Sequence, residues 1–294
     1  MSAHLIPPAA ERMRHACAVS ISDRACAIDA AAVAAVGAAI CVASQHPVVM
    51  SLAVPAVLGL RCRAWRRLPA DVRGHALGCE IAFLALCVVL GAGNDWNSVV
   101  RHGVYDYTVP LVFPRARAIP GWMLLYWGLI LRFVATLCRW ERLAPPACPA
   151  DDVHLGARIV ASPRLKVAAE VALVVSTRQM IYLYSRDPVL SWVPFAMALV
   201  AYVAMFGCTP HERTLLALAA IAGPVVESIF IQVGGLHIYH LGWFGGVPLW
   251  IILWWMLAVL VWNDVSARLL AWLARRAYDQ AQPPARAIST AATG

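Results

Sequence analysis

The sequence predicts an all-α fold, a polytopic transmembrane helical bundle of about eight spans with its N- and C-termini cytoplasmic. Three observations carry that expectation. Of the 294 residues, 61% are hydrophobic and only 14% charged, against roughly 25% charged in an ordinary soluble domain. Apolar stretches close to the ~20 residues a helix needs to cross ~30 Å of hydrocarbon recur along the chain. The basic residues cluster beside those stretches instead of along one soluble face.

Residues 1–24 hold Arg12, Arg14 and Arg24 without the 7–15 residue apolar run of a cleavable signal, so they are expected to be a cytoplasmic segment. Residues 25–138 should form the first four spans. Residues 30–60 carry no formal charge, but Ser44, Gln45, His46 and Pro47 interrupt them as a tight helical hairpin would. The first span then begins near Ala25, with Asp29 close to the inner headgroups. The second runs past Leu60 while Arg61 and Arg63 snorkel. A third is expected from His75 to Gly93 and a fourth from Pro120 to Cys138, joined by an outer loop over residues 94–119, rich in Asp95, Trp96, Tyr105, Asp106 and Tyr107, that is placed to cover a cavity mouth.

Residues 139–162, broken by Pro145, Pro146 and Pro149, read as a cytoplasmic linker loop. Residues 163–262 should hold the last four spans. The fifth starts at Ser162 and Pro163, with Pro at the first helical position, and the sixth repeats that grammar with Asp187 as N-cap. In the seventh, Thr209 and Glu212 have capping-box spacing, and His211 is assigned to capping alone; the span closes at Gly234 and Gly235. The eighth runs from Val247 to Trp262. Residues 263–279 alternate as an interfacial amphipathic helix would, and residues 280–294 read as a disordered tail.

With eight spans and the N-terminus inside, inner segments hold 18 of the 24 basic residues and outer loops 4. A single tilted helix over residues 25–60 would leave seven spans and reduce the balance to 15 against 7, which favours eight. The net charge is +8 and Lys166 is the one lysine; clustered as it is, this charge orients the chain and gives no reason to expect a nucleic-acid partner. Nine cysteines lie scattered without a CxxC, which suggests unpaired, buried thiols and no structural zinc site. The expected location is the cell membrane, and the expected partners are membrane lipids and a hydrophobic small molecule. No cofactor or metal is implied.

Ionisable groups in hydrocarbon cost about 2.5–3.5 kcal/mol each on insertion scales, so those that persist usually face a partner or a cavity. Glu80, Arg132 and Glu170 lie within about two turns of a helix end, where snorkelling or a structural ion pair accounts for them. Arg178 and Glu227 each fall near the midpoint of their spans, the fifth and the seventh, and are natural partners. They form either a clamp between helices or a polar site. Pro224 precedes Glu227 by three residues and cannot donate to the carbonyl of Ala220, so helix seven should kink beside the carboxylate. Thr177, Tyr182, Ser228 and Gln232 add polar groups that would bind substrate.

The segment from Gly234 to Trp250 brackets His237, Tyr239, His240, Trp243 and Phe244 with glycine pairs and reads as a structured outer loop. His237 and His240 are three apart, but no third metal ligand accompanies them. The order Glu227, Gly234–Gly235, Tyr239 and Gly246-Val247-Pro248-Leu249-Trp250 resembles the C-terminal stretch of the integral-membrane carotenoid biosynthesis (carotenoid hydratase-type) family, over about 25 of 294 residues and with shorter spacing. The resemblance implies that Glu227 donates a proton to an isoprenoid double bond while the aromatics stabilise cationic character.

The leading expectation is therefore an intramembrane acid/base site for a lipid or isoprenoid-like substrate. Glu227 would be the acid/base, Arg178 its electrostatic partner, and Tyr239 or His237 would stand beside it. His240 and Trp243 would join the substrate contacts. A small-solute transporter or permease using the same buried pair, or a structural or partner-binding membrane protein, stays open.

Overall fold

The computed structural model describes residues 21–69, 72, 75–112, 119–143 and 162–281. Eight α-helices occur among the described residues: α1 (Asp23–Ala43), α2 (Pro47–Arg66), α3 (Leu77–Trp96), α4 (Gly121–Leu137), α5 (Pro163–Tyr184), α6 (Val193–Phe206), α7 (Pro210–Gln232) and α8 (Leu249–Ala281). Five helical segments are long and apolar enough to cross a membrane: α1, α2, residues 77–101, α7 and residues 249–277 of α8. The expected linker before Ser162 and the expected tail lie largely outside the described residues.

Local chemistry explains most boundaries. The Ser22 side chain accepts from the backbone N–H of Ala25 and opens α1, while Pro47 and Pro163 occupy first-turn positions that need no donor. Thr209 and Glu212 form the expected reciprocal capping box of α7. The turn between α1 and α2 falls at Ser44–His46 and separates two distinct helices.

Four expectations are corrected. Asp187 does cap backbone donors, its Oδ1 accepting from Val189 and Leu190 at 2.8 and 2.7 Å, but only turns follow before α6 begins at Val193. The eighth helix continues unbroken from Leu249 to Ala281, because no Gly or Pro interrupts residues 249–281, so no break sets off the stretch read as interfacial. His211 does more than cap: its Nδ1 lies 2.8 Å from the carbonyl oxygen of Leu143. The segment after α3 is not simply a loop. It continues as a π-helical turn, Asn97–Arg101, and then as strand β1 (Tyr105–Tyr107), which pairs antiparallel with β2 (His237–Tyr239).

Contacts between helix ends show that successive helices alternate in direction and give the bundle two ends. Asp29 and Glu80, early in α1 and α3, meet Arg61 and Arg132, late in α2 and α4. Glu170, in the first half of α5, meets Tyr202 late in α6, and Glu227, late in α7, shares a cavity with Trp250 at the start of α8. The first end holds the starts of α1, α3, α5 and α7. The second holds the α1–α2 turn and the β1–β2 sheet, stitched together where Ser44 donates to the carbonyl of Gly234 and the Thr108 N–H donates to that of Leu236. One apolar core joins α1, α2 and α4 around Val36, Ile40, Met50 and Tyr126. Another joins α5, α6 and α8 around Ile181, Phe195, Trp250 and Leu257. Seven cysteines among the described residues are free.

Near the first end, four helices share a buried ionic network. Arg61 donates to Asp29 at 2.7 Å and lies 2.5 Å from Glu80. Arg132 grips Glu80, and Thr136 donates to Asp29 at 2.5 Å. His75 closes on Glu80 at 2.5 Å. Arg61 is only 2% exposed, which corrects its assignment as a snorkelling residue: two carboxylates and the face of Trp65, 4.6 Å from its guanidinium, hold it inside. For Glu80 and Arg132 the ion pair, not the headgroup region, is the outcome.

Candidate functional site

Towards the second end the two halves of the bundle meet around a narrow cavity. α3 contributes Asn94, α4 Trp127, α5 Arg178 and α7 Glu227; Tyr105 and Tyr239 come from the two strands, and Trp250, Trp254 and Trp255 from α8. Its volume is about 20 Å³, close to the ~10–15 Å³ that holds one water molecule. A larger guest requires the aromatic walls to part.

The expected Arg178–Glu227 ion pair is not formed. Arg178 donates through Nη2 to Ser98 Oγ, and its guanidinium packs 4.6 Å from the Trp254 ring centroid and 5.2 Å from that of Tyr182. Glu227 instead lies 3.1 Å from His237 Nε2. Both charges are nevertheless buried, at 7% exposure each, and both line the same cavity. They are not at mid-span. Glu227 lies five residues before the end of α7 and Arg178 six before the end of α5, which at ~1.5 Å per residue puts them about 8–9 Å from the second end.

The strand register explains how a loop histidine reaches an intrahelical carboxylate. Tyr105 pairs with Tyr239 and Tyr107 with His237, so alternate residues of both strands point to one face of the sheet. The result is a tight aromatic group: the Tyr105 ring lies 5.6 Å from His237 and 5.3 Å from Tyr239, and Trp250 meets Tyr239 edge-on at 5.6 Å. Asp95 orders this group from below, accepting from both the Tyr105 and Tyr107 hydroxyls, the latter at 2.8 Å. Burial, followed by the neighbouring carboxylates, holds the phenols of Tyr105, Tyr107 and Tyr239 well above their ordinary pKa. They remain neutral donors.

The other expected contacts separate. Tyr239 lines the cavity and His237 reaches it through Glu227. Ser228 lies against the turn at Gly245, where a Cβ would come 2.3 Å from its Oγ, and Gln232 donates to the Gly245 carbonyl at 3.1 Å. Thr177 donates back to the Leu173 carbonyl. His240 bonds the Gly103 carbonyl at 2.8 Å, so the two histidines face different partners. Trp243 is 74% exposed. Tyr182 touches Arg178 from outside the cavity wall. None of these six, Thr177, Tyr182, Ser228, Gln232, His240 and Trp243, lines the cavity.

Ser98 is a polar group that sequence reasoning passes over, and Asp95 reads only as part of an outer loop beyond the third span. They stand where α3 was expected to have ended, and the signal that would have found them is the run Asn94-Asp95-Trp96 directly after an apolar stretch. No family model, curated protein or solved structure matches the chain. Chemically, the arrangement offers a carboxylate and an imidazole close enough to share a proton, a neutral phenol beside them, and a cation across a water-poor cavity walled by indoles.

Proposed function

We propose that the chain is a multi-pass protein of the cell membrane, with eight spans and both termini cytoplasmic, whose Glu227 cluster performs acid–base chemistry on a lipid or isoprenoid-like substrate. The observation that carries the catalytic part is the 3.1 Å approach of Glu227 to His237 beside an aromatic cavity that Arg178 also lines. A carboxylate in a water-poor site gives up or accepts a proton most readily when a second titratable group stands within reach, and the His237 imidazole is that group. Indole and phenol rings suit an apolar chain and stabilise positive charge developing on it.

The span count draws support from the alternation of the eight helices. α4 and α6 are short, at 17 and 14 residues, and α5 carries Arg164, Lys166, Glu170 and Arg178. Two of those charges are buried, Glu170 and Arg178, and Lys166 reaches Glu170 and Asp264 at 3.5 and 3.7 Å. A helix whose charges turn inward can cross lipid in company. Basic residues crowd the first end, which by the positive-inside rule is the cytoplasmic one.

The deciding experiment compares hydrophobic metabolites in cells carrying the wild-type chain, a deletion, or Glu227→Gln, with thermal stability of each purified variant as the folding control. Glu227→Gln should reproduce the deletion profile while folding normally. A folded Glu227→Gln protein that restores the wild-type profile removes the carboxylate from the chemistry. Solute flux driven by a pH gradient in proteoliposomes, absent in the same variant, would reassign the cluster to transport.

A further inference from the structure

Beside the buried cluster, an open cavity of about 480 Å³ faces the second end, lined by His102, Tyr182, Ser185, Arg186 and Asp187. Tyr182 joins it to the Glu227 cluster. Its ring stacks on His102, with centroids 4.2 Å apart and planes 4° from parallel, and the same ring borders Arg178. The volume falls within the ~300–1,000 Å³ of small-ligand pockets.

Its charge is lopsided. Arg186 is exposed on the wall, and Arg101, also exposed, directly precedes His102. Among the described residues, neither arginine has an ion-pair partner. The one carboxylate on the wall, Asp187, is already occupied by the backbone N–H groups of Val189 and Leu190. Arg186, with Arg101 next to the wall, thus faces the opening with fork-shaped donors that match phosphate oxygens. Apolar groups line the same opening: Leu183, at 73% exposure, and Pro188. A cation and an exposed aliphatic side chain on one wall, with a second arginine next to that wall in the chain, suit a molecule with a charged head and an oily chain more than a free ion.

We propose that this pocket receives the anionic, phosphate-type headgroup of a membrane amphiphile and lays its chain beside Tyr182, against the Glu227 cluster. The headgroup assignment stands on the pocket alone; the delivery of the chain rests on the reading of Glu227 as the reactive centre.

The test uses the full chain in phosphatidylcholine nanodiscs, titrated calorimetrically with dihexanoyl phosphatidic acid. Binding should weaken at least tenfold in Arg186→Glu and in Arg101→Glu, both surface changes checked for folding by thermal stability, and should weaken to a lesser degree in Arg186→Gln. Dihexanoyl phosphatidylcholine and inorganic phosphate should each bind at least tenfold less tightly than the phosphatidic acid. Equal binding of the zwitterionic lipid, or no effect of Arg186→Glu, overturns the headgroup site. Inorganic phosphate binding as tightly as the lipid overturns the amphiphile and leaves a free-anion site. A phosphatidic acid carrying a diazirine on its chain should label the peptide containing Tyr182, and uniform labelling of lipid-facing helices overturns the placement. If phosphatidic acid binding responds to Arg186→Glu while folded Glu227→Gln leaves the metabolite profile at wild type, the headgroup site stands and the catalytic reading of Glu227 fails.

Discussion

Arg132 holds Glu80 with two parallel bonds in the protein interior, Nε to Oε1 at 2.8 Å and Nη2 to Oε2 at 2.9 Å. Both side chains are at most 1% exposed. This pairing joins α4 to α3, and through Arg61 and Asp29 it reaches α2 and α1. Removing one member leaves a buried charge with fewer partners than it needs, whereas removing both takes the demand away with the supply. Arg132→Met alone should therefore destabilise the protein by about 3–5 kcal/mol, read as a shift in denaturant midpoint in detergent. Arg132→Met combined with Glu80→Leu should cost less than the sum of the two single changes. Strict additivity would show that the pair does not act as a unit.

The same two helices approach so closely that glycine is required. A Cβ on Gly128 would stand 2.3 Å from Val88 Cγ2 and 3.0 Å from Val88 Cα, and one on Gly91 would stand 2.6 Å from Trp127 Cβ. The Val88 backbone cannot move aside as a side-chain tip can, so α3 and α4 must separate. Gly128→Ala should cost about 1–3 kcal/mol. Gly59 in α2 has nothing within 4 Å of its Cβ position, and Gly59→Ala should be neutral or stabilise by up to about 1 kcal/mol. Equal effects at both sites would contradict the close approach.

What the sequence made legible follows from the range of the forces involved. Caps and prolines act within four residues, so the Ser162–Pro163 start, the Thr209–Glu212 box and the break at Ser44–Pro47 could be read directly. Partner choice among buried charges is set by packing across helices. Glu227 has two reasonable partners by sequence, Arg178 and the histidines beyond Gly234, and only the β1–β2 register decides for His237. Asp29 and Arg61 were read as interfacial because each lies near a helix end. Nothing local indicates that Glu80, Arg132 and Thr136 converge on them.

His102 provides a check on the charge of the open pocket. Burial first, and then the positive charges of Arg101 and Arg178, hold its pKa below the ordinary 6.5. The unfolded chain thus binds the proton more readily than the folded one. Stability should fall as pH drops through 6.5 towards the folded-state value, with no contribution from this group well above 6.5. An imidazole ¹⁵N titration of the full chain should place the His102 midpoint below 6.5, and Arg101→Gln should move it upward. A midpoint above 6.5 would show that the pocket carries a net negative field.

Arg178 separates a working site from a structural clamp. It is 7% exposed, and among the described residues no carboxylate lies within ion-pair distance of it, its contacts being the Ser98 hydroxyl and the rings of Tyr182 and Trp254. A buried cation without a counter-charge is a cost to folding, and proteins keep such costs where activity requires them. Arg178→Met preserves much of the apolar stem and removes the charge. Its melting temperature should equal or exceed that of the wild type, in contrast to Arg132→Met, while the metabolite profile of cells carrying it should match the deletion strain. A marked loss of stability in Arg178→Met with the metabolite profile retained would show the opposite arrangement, a residue that holds helices together and takes no part in the chemistry.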